Sequence, residues 1–304
     1  NVNCLAEVAY WGDTTYAEEL LENHGADVNF MAEAAAEGKQ KAFALKLMRE
    51  HGAEMSLVAR GAANSGDKAL AEDLRTKHAD ANYIAMGAAF TGDADYLEKL
   101  IIEYNADVNI VAWSFAFKGD IESANEFITK YDVDVNTIAD GFAMGGFIYE
   151  AEKLREKHSA DVNTIAKGAA YNGHRTYVDK LREKHSVDVN TIAEGFAMGG
   201  FTSDAESLRL DHNADVNRIA EGATRGRNIT YAEKLRTEHY ADVDRIAEAA
   251  AYIGEKKYAE KLRTEHYADV DSIARGAAVG GYREYPETLR TQHGADIYRI
   301  KDST

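Results

Sequence analysis

The chain has 304 residues, 45% hydrophobic and 29% charged, with one proline and a formal net charge of −17 at pH 7. That composition is globular and leans helical, because abundant Ala, Leu, Glu and Lys with almost no proline favour helix over sheet. The charge repels phosphate backbones, so no nucleic acid is expected as a partner, and a basic protein or peptide fits better.

Residues 1–23 read as a partial unit and hold Cys4, which has no internal disulfide partner. No basic-then-apolar leader precedes the first full unit. No apolar run approaches the roughly 20 residues of a membrane span, so no membrane contact is expected and the expected location is cytoplasmic. From His24 a motif recurs: Asp27, Glu54, Asp80, Asp107, Asp134, Asp161, Asp188, Asp215, Asp242, Asp269 and Asp296 stand 27 residues apart, with one step of 26. Ten full units occupy 24–292, a second partial unit occupies 293–304, and residues 1–304 form a single repeat array.

One unit, from His158 to Lys184, shows what each builds. Asp161 offers an N-cap, and Val162, Ile165, Ala166, Ala169 and Ala170 fall on one helical face, which predicts a short first helix. Gly173 ends it. Tyr177, Val178 and Leu181 resume the helical pattern through about His185, which predicts a second helix with cations near its end. Helices of about ten residues are marginal alone, so each pair must bury its face on the next pair. The expected fold is an all-α solenoid, elongated and curved. Its tight layer is Ala32, Ala59, Ala85, Ala112, Ala139, Ala166, Ala193, Ala220, Ala247 and Ala274, with glycine two positions later in seven of the ten units. Its large layer is Ile138, Ile165, Ile192, Ile219, Ile246 and Ile273 against Leu154, Leu181, Leu208, Leu235, Leu262 and Leu289. Pro286 falls where its helix begins.

The run Thr164-Ile-Ala-Lys-Gly-Ala-Ala-Tyr-Asn-Gly-His174, followed by Leu181 and His185, resembles the ankyrin repeat, as does the join His24-Gly-Ala-Asp-Val-Asn29. The unit is about six residues shorter than an ankyrin unit of about 33, and Ile165 stands where the ankyrin signature has proline. The missing length falls between Asn163 and Thr164, the place of the β-hairpin finger. The resemblance implies a right-handed, ankyrin-like α-solenoid without fingers, and a convergent solenoid is the alternative. It also implies a protein–protein interaction scaffold or adaptor. Arrays of this kind in secreted effectors of intracellular bacteria make host cytoplasm one expected home.

Two ladders look chemical. His24, His51, His78, His158, His185, His212, His239, His266 and His293 share one position. Neighbouring rungs about 8 to 10 Å apart suit a helix end better than a zinc ion held at about 2 Å, so no metal or other cofactor is expected. The aspartates recur in every unit, as caps must and a catalytic pair need not. No nucleophile elbow, phosphate loop or His-Glu-x-x-His occurs, and no enzyme activity is expected.

The variable positions remain. Those of Thr164, Lys167 and Tyr171 share the first-helix face opposite Ile165 and Ala169. Most units place polar residues there. Tyr83, Met86 and Phe90 fill all three positions in one unit, Ile110, Trp113 and Phe117 in the next, and Met144, Tyr171 and Met198 continue the third position. An apolar cluster of this kind reads as the binding face for a protein or peptide; local burial, aided by Phe115, Phe142 and Phe196, is the alternative. Arg218, Arg225, Arg227 and Arg245 read either as a basic rim or as ion pairs with nearby glutamates. Self-association through open ends is the second functional reading.

Overall fold

A computed structural model describes residues 6–24, 26–282 and 284–296. Cys4 lies outside them, as do residues 297–304, on which part of the open-end reading rests. The described residues form 21 α-helices after one 3-10 turn, Ala6–Ala9, and contain no strand. They divide into two compact units, Asn1–Thr137 and Ile138–Thr304. Each is an all-α solenoid of helix pairs.

In unit 1 the first helices are Val28–Glu37, Met55–Asn64, Ala81–Thr91 and Val108–Lys118. The second helices are Lys41–His51, Lys68–Thr76, Ala94–Tyr104 and Ile121–Lys130. Unit 2 begins within Val135–Met144 and repeats the pattern. Its further first helices are Val162–Tyr171, Val189–Met198, Val216–Arg225, Val243–Tyr252 and Val270–Val279. The first helix of the pair starting at Asp161 begins directly at Val162, so the chain passes from cap to helix where a finger would stand. Its second helix runs Arg175–Lys184, two residues earlier than the apolar pattern starts, because His174 already sits at the N-cap.

The Asp-Val-Asn segment does two jobs. The carboxylate of Asp188 accepts the N–H of Asn190 at 3.1 Å and so caps its own helix. The side-chain oxygen of Asn163 accepts the backbone N–H of Asp188, one repeat later, at 2.8 Å. The same bond joins Asn29 to Glu54, Asn82 to Asp107 and Asn109 to Asp134 in unit 1, and Asn190 to Asp215 and Asn217 to Asp242 in unit 2. Asp244 and Asp271 take the role of the asparagine toward Asp269 and Asp296. Each of these caps is thereby tied to the preceding repeat.

First helices pack on first helices. All ten alanines of the tight layer are fully buried, as are Ile138, Ile165, Ile192, Ile219, Ile246 and Ile273. A Cβ built on Gly61, Gly87, Gly195, Gly222 or Gly276 would stand under 3.0 Å from a backbone carbonyl oxygen of the preceding first helix, closer than real Cβ atoms come. Glycine therefore sets the close approach. Where Ser114 or Ala249 replaces it, the helix packs less closely on its predecessor.

Second helices are joined by a polar ladder. The hydroxyl of Tyr258 donates to Glu233 of the preceding pair at 2.7 Å, and Glu233 pairs with Arg236 at 2.7 Å. Tyr231 donates to Glu206 at 3.3 Å and Tyr285 to Glu260 at 2.9 Å; Tyr177 bonds Glu152. Burial pushes the Tyr258 phenol well above its ordinary value, and the Glu233 carboxylate adds to this. Burial also pushes Glu233 up, but the Arg236 and Tyr258 hydrogen bonds outweigh it and hold the carboxyl below its usual range. The Arg209 hydrogen bond does most of the same work on Glu206.

Two expectations follow from these ladders. Gly222→Ala gains about 1 kcal/mol of helix propensity, yet its Cβ meets the Glu194 carbonyl, so a net loss of about 1–3 kcal/mol is expected in urea unfolding. A stabilised variant would show that the helices do not need this approach. The lowered carboxyls contribute stability that is present above the unfolded value of about 4.3 and is lost as pH falls through the folded one. Thermal midpoints should therefore hold from pH 7 to about 5 and fall below about 4, less steeply in Glu233→Gln; equal slopes would remove the ladder from the acid response.

Candidate functional site

The first-helix face carries three rows of side chains, one rung per repeat. In unit 1 the middle row begins with an ion pair: Arg60 forks onto Glu33, with Nη2 to Oε2 at 2.5 Å. The next two rungs are Met86 and Trp113. Tyr83, Met86, Phe90, Ile110, Trp113 and Phe117 are all half-buried, each partly covered by its neighbours and partly open. The Trp113 and Phe117 rings stack one helical turn apart, centroids 4.9 Å and planes 15° from parallel. The Arg60 guanidinium lies 5.6 Å from the Tyr83 ring centre and closes one side of the patch. Lys118 Nζ donates to the Phe90 carbonyl at 2.7 Å on the other.

The structure extends this cluster. Phe30 and Leu57 occupy the position of Tyr83 and Ile110 in the two preceding units, half-buried and buried respectively. The repeat alignment contained that signal, but the neighbouring rungs of those helices, Glu33 and Arg60, are charged and masked it. The two helices bearing the six central residues are also the pair that Ser114 holds less closely packed. Its hydroxyl donates to the Ile110 carbonyl at 2.8 Å, so the added bulk leaves no polar group unpaired. Unit 1 is acidic as well: residues 1–137 contain 24 Asp and Glu against 11 Lys and Arg, a net −13 of the chain's −17.

Met144, Tyr171 and Met198 lie in unit 2, half-buried, on the third row. Around them the face is ionic rather than apolar. Glu194 is almost wholly buried and is surrounded by cations: Lys167, Arg218 Nη2 at 2.8 Å and Arg225 Nη1 at 3.8 Å. Arg275 forks onto Glu248 at 2.8 and 2.6 Å. Arg225 also pairs with Glu221 at 2.7 Å, Arg245 with Glu221 at 3.2 Å, and Arg227 with Glu255. The four arginines thus take the ion-pairing role. Between them, at the second loosely packed step, lies a pocket of about 380 Å³ lined by Arg225, Arg245, Glu248, Ala249 and Tyr252.

The remaining ladders are structural. His24, His51, His158, His212, His239, His266 and His293 end their helices, and His78 and His185 follow the last turn. Among the described residues no three His, Cys, Asp or Glu side chains are grouped to hold a metal ion, and no helix is long and apolar enough to cross a membrane. Phe115, Phe142 and Phe196 point into the core, 2–3% exposed, so they enlarge the interior without covering the face.

No protein-family model matches the chain, and no curated protein matches it. The site rests on its own geometry. Ser114→Gly is expected to let helix Val108–Lys118 approach Ala81–Thr91 as Ala81–Thr91 approaches Met55–Asn64, drawing the two aromatic rows together. A crystal structure of the variant decides it, and an unchanged separation would show that residue 114 does not set the gap.

Proposed function

We propose that the chain is a binding module, an ankyrin-like array without fingers, whose unit 1 first-helix face holds a segment of a protein partner. One observation carries this reading: at the positions where other rungs close the face with Arg60–Glu33, Lys167–Glu194 or Arg275–Glu248 pairs, two successive helices present Met86, Trp113 and four further apolar residues, half-open, at a loosened step. Large flexible and aromatic side chains in such a setting are what interface centres use. The repeated polar groups, by contrast, are committed to caps and ties between repeats, which leaves a role in holding a partner rather than in chemistry.

The test uses the full chain. On a Trp11→Phe background, Trp113 is the sole tryptophan, and its emission is expected to shift when a captured partner is added. Trp113→Ala with Phe117→Ala should weaken binding by about 2 kcal/mol or more, while thermal unfolding loses roughly the 0.5–1.5 kcal/mol of an aromatic pair plus a modest burial term. Undiminished binding by the folded double variant would remove this face from recognition.

A further inference from the structure

The apolar face in unit 1 has two unlike ends. At one end stand Asp80 and Asp107, the N-caps of the two helices that form it, one turn before Tyr83 and Ile110. Each lends one oxygen to a backbone N–H, at 2.8 Å to Asn82 and 2.8 Å to Asn109. Neither has a Lys or Arg within ion-pair distance among the described residues. Among the aspartate caps of unit 2, Asp215 is approached by Arg245 at 3.8 Å. The half-charge of a helix N-terminus cancels only part of a carboxylate. The end of the face at Asp80 and Asp107 is therefore left negative, with Asp134 exposed on the next rung, in a unit of net −13. At the other end Lys118 is exposed.

We propose that the segment held on this face is a basic amphipathic helix, apolar over about three turns, the length of the 11-residue walls, with its lysines or arginines clustered at the end over Asp80 and Asp107. The inference rests on the binding face described above and adds its polarity. An apolar helix entering a groove is a recurrent mode of peptide capture. The carboxylates at one end orient the helix and speed its encounter, and salt screens them.

The experiment titrates the full chain into a labelled synthetic helix, Leu- and Phe-rich along one face with a run of lysines at one end, and into a twin carrying glutamates instead. The lysine peptide should bind, less tightly as salt rises, and the glutamate twin should not. Asp80→Asn with Asp107→Asn keeps both caps, because asparagine caps as well as aspartate, and should weaken the lysine peptide about fivefold at low salt. Glu122→Gln with Glu126→Gln removes the same charge from an exposed second helix and should leave binding within about twofold. Equal losses in these two variants would mean that the general field of the unit attracts the peptide, and equal binding of the twin would mean that charge is not read; either overturns the proposal. Loss of binding in Trp113→Ala with Phe117→Ala alone, with the aspartate variant unaffected, would leave the face as a binding site and remove its basic occupant. Full binding by the tryptophan variant would remove both.

Discussion

The distance between neighbouring first helices governs the rest of this protein. A helix of ten or eleven residues cannot hold itself in water, so each depends on area shared with the next. That area is made by backbone against backbone, through fully buried alanines such as Ala166 and Ala193 and through glycines whose hydrogen faces a carbonyl of the preceding helix. With the backbones this near, there is little depth for side chains between rungs. The bulky layer, Ile165, Ile192 and their equivalents, is buried with the second-helix leucines, such as Leu181 and Leu235.

Close stacking also dictates the polar ladders. A repeat that can slide along its neighbour by one turn loses the alignment of small residues, so bonds that fix register matter beyond their individual worth. The asparagine bond to the next cap pins one edge of the stack, and the tyrosine bond to the preceding glutamate pins the opposite, second-helix layer. Both span 25 residues, so each couples neighbouring repeats and no others. The bonded members of these ladders satisfy one another, as Asn163 does for Asp188 and Tyr258 for Glu233, which is why so polar a motif is compatible with a packed fold.

Much of this was legible from residue pattern. The period, the two helices, the caps and the buried Ala–Gly row follow from rules that act within one unit, such as helical periodicity and the need of an N-terminus for an acceptor. What escaped the pattern acts between units. Asn163 reads as a second capping residue until the N–H of Asp188 is seen against it, and Tyr258 reads as an apolar face residue until Glu233 is seen beneath its hydroxyl. The candidate face is legible through Trp113 and Phe117, while Phe30 and Leu57 are hidden by the charged residues Glu33 and Arg60 at the adjacent rung of their own helices. The consequence of Ser114 was hidden for a different reason. Serine and glycine are both small, and only the Cβ, set against a carbonyl of the preceding first helix, separates them.

The middle row shows how one position serves two ends. A buried carboxylate such as Glu194 is tolerated because Lys167, Arg218 and Arg225 converge on it from the helices on both sides. Such rungs close the face, since every charged group is already spoken for by a neighbour. Met86 and Trp113 make no comparable demand: what they leave half-open is apolar area, which a partner can cover. A row that alternates ion pairs with an apolar gap thus divides the same scaffold into stretches that complete themselves and one stretch that does not. The loosened step at Ser114 falls within that stretch, so the place where the stack gives up backbone contact is also the place where it offers surface.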